Sequence, residues 1–96
     1  MENHVEVNMY NKGVELFNKN ALTNSLVCFE EVIVTNPKKA EAFFYIGNIF
    51  HIQGKLGKAV KAFNKVLELN PDHTDASISL SVILNDIGRY DAVSYT

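Results

Sequence analysis

Residues 40–73 read AEAFFYIGNIFHIQGKLGKAVKAFNKVLELNPDH, and this stretch decides the fold. Ala42, Phe43, Ile46, Ile49 and Phe50 step by three and four, the spacing of one face of an α-helix. Gly54 then stops that helix, because a glycine reaches positive φ without a Cβ clash. A second helical stripe follows in Leu56, Ala59, Val60, Phe63, Val66 and Leu67. It ends at Asn70-Pro71, where the proline ring forbids continuation and pushes the preceding residue toward an extended conformation. The stretch is therefore two antiparallel helices of about four turns each, joined tightly.

The same punctuation recurs along the chain. The only prolines, Pro37 and Pro71, each follow an asparagine and lie 34 residues apart. At that offset Gly13 maps to Gly47, Gly54 to Gly88, Phe29 to Phe63, Val32 to Val66 and Ile49 to Ile83. A fixed period means one helix-pair unit used repeatedly, each unit covering its apolar face with the next. The units run 6–39, 40–73 and, truncated, 74–96, within a single domain over 1–96. Helices are predicted near 5–19, 22–35, 40–53, 56–69 and 74–87, with a short sixth from 89 to 96. Asp72 or Thr74 is expected to cap the fifth. The fold class is all-α, an antiparallel helix-pair stack of five full helices plus the short C-terminal one.

Composition excludes several classes of function. Of the residues 47% are apolar and 21% charged, the balance of a folded chain rather than a disordered one. Nine basic against eleven acidic residues, net −2, leave too little positive charge for a nucleic-acid binder. No apolar run is long enough to span a membrane, and the Met1–Glu6 start lacks the pattern of a secretory leader. A single cysteine, Cys28, allows no intrachain disulfide and points to a reducing compartment, so a cytoplasmic location is expected.

Chemical motifs are nearly absent. His4, His51 and His73 do not pair at metal-ligand spacing, and Cys28 lies far from them. Cys28 reads as a small packing residue beside Leu26 and Val27, with only Glu30 and Glu31 near it, which disfavour a thiolate. Gly54-Lys55-Leu56-Gly57-Lys58 reads as a helix–helix turn rather than a phosphate loop. No catalytic residue, metal or cofactor is assigned.

A 34-residue helix-turn-helix unit with glycine at its eighth position, a small residue at its twentieth and proline at its thirty-second resembles the tetratricopeptide repeat. The second unit supplies Phe43, Ile46, Gly47, Phe50, Ala59, Phe63, Val66 and Pro71 at the signature positions. The first supplies Met9, Gly13, Leu16, Ser25, Phe29, Val32 and Pro37, with Lys12 where the family prefers leucine. The third matches through its first helix, with Ser77, Leu80, Ser81 and Leu84.

The resemblance implies a right-handed α-solenoid. It also implies a concave groove, lined by the first helix of each unit, that takes a peptide segment of a partner protein. Carried over by position, the groove residues are Tyr10, Val14 and Phe17, then Phe44, Asn48 and His51, then Ile78, Val82 and Asn85. Asparagine amides both donate and accept and so bridge a peptide backbone, while aromatic rings supply contact area. Family members that clamp acidic C-terminal tails do so through cations. The corresponding places here hold Tyr10, Val14, Tyr45, Asp75 and Ser79, so an acidic tail is not the expected ligand.

The fifth helix raises a separate expectation. Ala76, Ile78, Leu80, Val82, Ile83, Leu84 and Ile87 place apolar side chains nearly all around it. An uncovered strip drawn from Ile83, Leu84, Ile87, Val93 and Tyr95 would favour self-association as a homodimer. Two functions therefore stand side by side: a peptide-binding interaction module, and a self-assembling structural one.

Overall fold

A computed structural model describes the backbone of residues 4–94 and the side chains of residues 6–88. The described chain forms five helices: α1 His4–Asn18, α2 Leu22–Thr35, α3 Ala40–Ile52, α4 Leu56–Leu69 and α5 Thr74–Ser94. Helix α1 packs on α2 and α3 on α4 as antiparallel pairs, and α2 on α3 and α4 on α5 link successive units. The stack measures 55 × 28 × 18 Å with a radius of gyration of 14.3 Å. A sphere-like domain of this length would have about 12.5 Å, so the chain is drawn out along one axis, as a linear stack of units must be.

The joints repeat as closely as the sequence does. At the end of α3 the Gly54 N–H donates to the His51 carbonyl at 3.0 Å and the Lys55 N–H to the Phe50 carbonyl at 2.8 Å. With Gly54 at φ 77° this is a Schellman turn. At the end of α1 the same pair of bonds runs from Asn20 to Phe17 and from Ala21 to Leu16, with Asn20 at φ 62°. Asparagine is the residue other than glycine that tolerates this region best. The two Asn-Pro turns match as well: the Asn36 side chain accepts from the Lys38 N–H at 3.2 Å, and Asn70 from the Asp72 N–H at 3.3 Å.

Two expectations are corrected at the C-terminal unit. Gly88 does not end α5, which continues as one helix to Ser94, so among the described residues there is no separate sixth helix. A Cβ at Gly88 would meet nothing within 4 Å. Among the described residues no returning helix packs there, and a turn that buries nothing gains less than continuing the hydrogen-bonded helix. The cap of α5 is neither Asp72 nor Thr74 but His73, whose Nδ1 accepts from the Ala76 N–H at 3.1 Å.

The core follows the repeat phase and falls into two clusters. The first gathers Phe29, Val32, Ala42, Ile46, Ile49 and Ala62; the second gathers Ala59, Phe63, Val66, Ala76 and Ile83. Phe29 and Phe63 are wholly buried, each over a glycine of its own unit. A Cβ on Gly13 would stand 2.9 Å from Cζ of Phe29, and one on Gly47 would stand 2.8 Å from Cζ of Phe63. Phe29 also stacks on Tyr45 of the next unit, with centroids 4.8 Å apart and planes 8° from parallel. One ring thus closes its own helix pair and the joint to its neighbour. Ser25, the buried polar side chain of this core, donates to the Gly13 carbonyl at 2.7 Å, which satisfies its hydroxyl.

Candidate functional site

The first helices of the units present a row of aromatic and amide side chains along one face. Tyr10, Val14 and Phe17 are half-buried on α1, as are Phe44, Asn48 and His51 on α3. Tyr45 ties the aromatic members together. Its ring meets Tyr10 at 6.1 Å, Phe17 at 5.3 Å and Phe44 at 6.3 Å, each near edge-to-face. Phe44 reaches further, to Phe63 at 5.8 Å and the His73 ring at 4.9 Å. Tyr10, Phe17 and Phe44 are therefore anchored against the core with part of each ring open to solvent. Such an arrangement holds contact surface rigid before any partner arrives, which lowers the ordering cost of binding.

The polar members are set out differently. Asn48 and Asn85 make no hydrogen bond to a described residue, so their amides are open to a ligand. His51 Nε2 lies 3.7 Å from Asp86 Oδ2 and bridges α3 to α5. His73 holds a tighter pair: Nε2 lies 3.0 Å from Glu41 Oε1 while Nδ1 accepts from the Ala76 N–H. A ring nitrogen that accepts carries no proton, so Nε2 carries it and donates to Glu41. The Lys39 ammonium lies 4.9 Å from the centroid of the Tyr10 ring. Burial foremost, with the nearby Tyr45 and Glu41, holds the Tyr10 phenol above its ordinary value of 10.0.

On α5, Ile78 and Val82 are 58% and 47% exposed, apolar side chains without cover on the face given to the third unit. Leu84 is 52% exposed. Ile83, expected on the uncovered strip, is instead wholly buried in the second core cluster, because α4 packs directly over it. Ile87 packs against the same cluster and is half-buried. The Val93 side chain and Tyr95 lie outside the described residues.

Sequence reading missed Tyr45 and His73. Tyr45 follows Ala42 and precedes Ile49 at helical spacing, which was the available signal; only the structure shows it meeting four rings. His73 precedes α5 at the cap position, but histidine is not a preferred cap and its role depends on Glu41 thirty-two residues away. Among the described residues no three His, Cys, Asp or Glu side chains gather as a metal site would require, and no helix is long and apolar enough to cross a membrane.

Comparison with known proteins fits this geometry. Residues 40–73 match the tetratricopeptide repeat family. The chain is 27% identical over 78 residues to Superkiller protein 3 of Saccharomyces cerevisiae, covering 81% of the chain and 5% of that protein. It is 39% identical over 56 residues to protein MJ0572 of Methanocaldococcus jannaschii, covering 58% of the chain and 65% of that protein. The chain thus spans a small part of the first relative and just under two thirds of the second. Its backbone superposes with a TM-score of 0.85 on the TPR2B domain of yeast Sti1, solved in a complex with pHsp70, at 19% identity over 94% of the chain and 72% of that domain. The central 34 residues thus match a tetratricopeptide repeat, and nearly the whole chain shares the helical-repeat fold of the Sti1 domain.

Proposed function

We propose that the chain is a non-catalytic interaction module that takes an apolar or amphipathic peptide segment of a partner protein along its concave face. The observation that carries this reading is the combination there of rigid, part-exposed rings (Tyr10, Phe17, Phe44) with unengaged amides (Asn48, Asn85). Rings anchored by Tyr45 offer contact area at low entropic cost, and the amides bond an extended peptide backbone. Similarity in fold to a domain solved with pHsp70 supports peptide binding as the mode. The ligand differs in charge from an acidic tail, since Tyr10, Val14, Tyr45, Asp75 and Ser79 bring no cation to the clamp positions and Glu41 and Asp86 add negative charge beside them.

A peptide array drawn from partners captured by cross-linking tests the reading. Asn48→Ala and Ile78→Ser should each weaken the selected peptide by about 1 kcal/mol or more without lowering the melting temperature, as contact residues outside the core do. Undiminished affinity in both folded variants refutes the groove.

Self-association is the second reading. It is favoured by α5, which packs chiefly on α4 and leaves Leu84, on the strip expected to self-associate, 52% exposed. Light scattering across a concentration series, with Leu84→Glu as the control, separates it from the first reading, because that substitution should dissociate a dimer and leave peptide affinity unchanged.

A further inference from the structure

The opposite face of the stack carries a second groove of different chemistry. It lies over α3, between α2 and α4, and is an open depression of about 400 Å³. Its floor is Ile33, Phe43, Ile46 and Phe50. On α3, Phe43, Ile46 and Phe50 point roughly 140° around the axis from Phe44, Asn48 and His51, at about 100° per residue. The two surfaces are therefore separate, and one helix serves both.

One edge of this groove is cationic. Lys58, Lys61 and Lys65 stand along α4 at spacings of three and four, so their ammonium groups share one side of the helix. Internal carboxylates do little to neutralise them. Lys65 pairs with Glu68 at 3.4 Å at an exposed position, Lys58 lies 5.6 Å from the Phe50 ring centroid, and Lys61 has no ion-pair partner among the described residues. Glu30, on the facing edge, pairs with none of the three. This edge is positive in a chain of net charge −2 whose other face carries Glu41 and Asp86.

We propose that this groove docks an acidic amphipathic helix of a partner protein, with apolar side chains on the Ile33–Phe43–Phe50 floor and carboxylates along the lysine edge. The three lysines span seven residues of α4, about 10 Å of helix, so the complementary ligand carries carboxylates at i, i+3 or i+4, and i+7 beside an i, i+4 apolar stripe. A charge-steered, apolar-anchored contact of this kind sets partner choice and association rate through the lysines and residence time through the floor.

The test is selection of the whole chain against a displayed library of short helices with a fixed leucine stripe and flanking positions free to be glutamate, lysine or serine. Glutamate should be enriched on one flank at the stated spacing. The selected peptide should bind about tenfold more weakly to Lys61→Glu/Lys65→Glu, and more weakly as salt rises. Phe43→Ser should weaken it at low and high salt alike, while Asn48→Ala on the other face leaves it unchanged. Enrichment of lysine or of no charge overturns the proposal. So does binding that survives the lysine reversal, or preferential binding of the chain to anionic lipid vesicles over the acidic helix.

Discussion

Gly47 and Phe63 occupy one space: a Cβ on the glycine would stand 2.8 Å from Cζ and within 3.0 Å of both ring edges, inside the closest approach carbon atoms make. The ring is wholly buried, so moving it aside displaces its packed neighbours. Gly47→Ala should therefore lose about 1–2 kcal/mol, the overpacking cost outweighing the roughly 1 kcal/mol that alanine gains over glycine in a helix. Adding Phe63→Leu to Gly47→Ala should recover part of the loss that the two changes predict when summed. Urea melts of both single variants and the double variant measure this coupling, and strict additivity would contradict the steric account.

Ser25 and its repeat equivalent Ala59 test the worth of one buried hydrogen bond. Ser25→Ala removes the 2.7 Å bond to the Gly13 carbonyl. That carbonyl stays within the α1 ladder, so the loss should be small, about 0.5–1.5 kcal/mol, measured by chemical denaturation.

The histidine cap separates hydrogen bonding from ring packing. His73→Ala removes the acceptor for the Ala76 N–H together with the contact on Phe44 and should cost about 1–2 kcal/mol. His73→Asn should recover most of the capping contribution but not the ring contact, leaving stability between the two. Hydrogen exchange at Ala76 should speed up in the alanine variant and stay near wild type in the asparagine variant.

Tyr10 gives stability an alkaline limit. Its folded phenol titrates above 10.0, raised first by burial and then by Tyr45 and Glu41. Above 10.0 the unfolded chain releases this proton while the folded chain still holds it, so folding stability falls as pH rises through that region; below it the contribution is constant. Tyr10→Phe should flatten the fall seen between about pH 10 and the folded value. Absorbance titration of phenolate against denaturation midpoint at each pH checks the sign.

Most of the architecture was legible in local sequence. Gly54 and the two Asn-Pro pairs mark helix ends because positive φ and a missing N–H act within a residue or two. Four of the five helices accordingly begin and end within a residue of their expected bounds. Asn20, the equivalent of Gly54, was harder to see, since asparagine occurs freely elsewhere and its φ of 62° is imposed by the turn. Periodicity also set which residues are apolar and the phase of each helix, and so the placing of Phe29 and Phe63 in the core. Tertiary structure decided whatever depends on a second helix being present. Gly88 stayed helical because none of the described residues folds back over it, and Ile83 was buried because α4 covers it. Tyr45 became the hub of an aromatic row through rings contributed by α1, α2 and α3. His73 became a cap with its Nε2 proton directed to Glu41 only once two units stacked. Local signals report backbone preferences of neighbouring residues, whereas burial, ring contacts and proton placement are set by atoms distant in sequence that only the folded stack brings together.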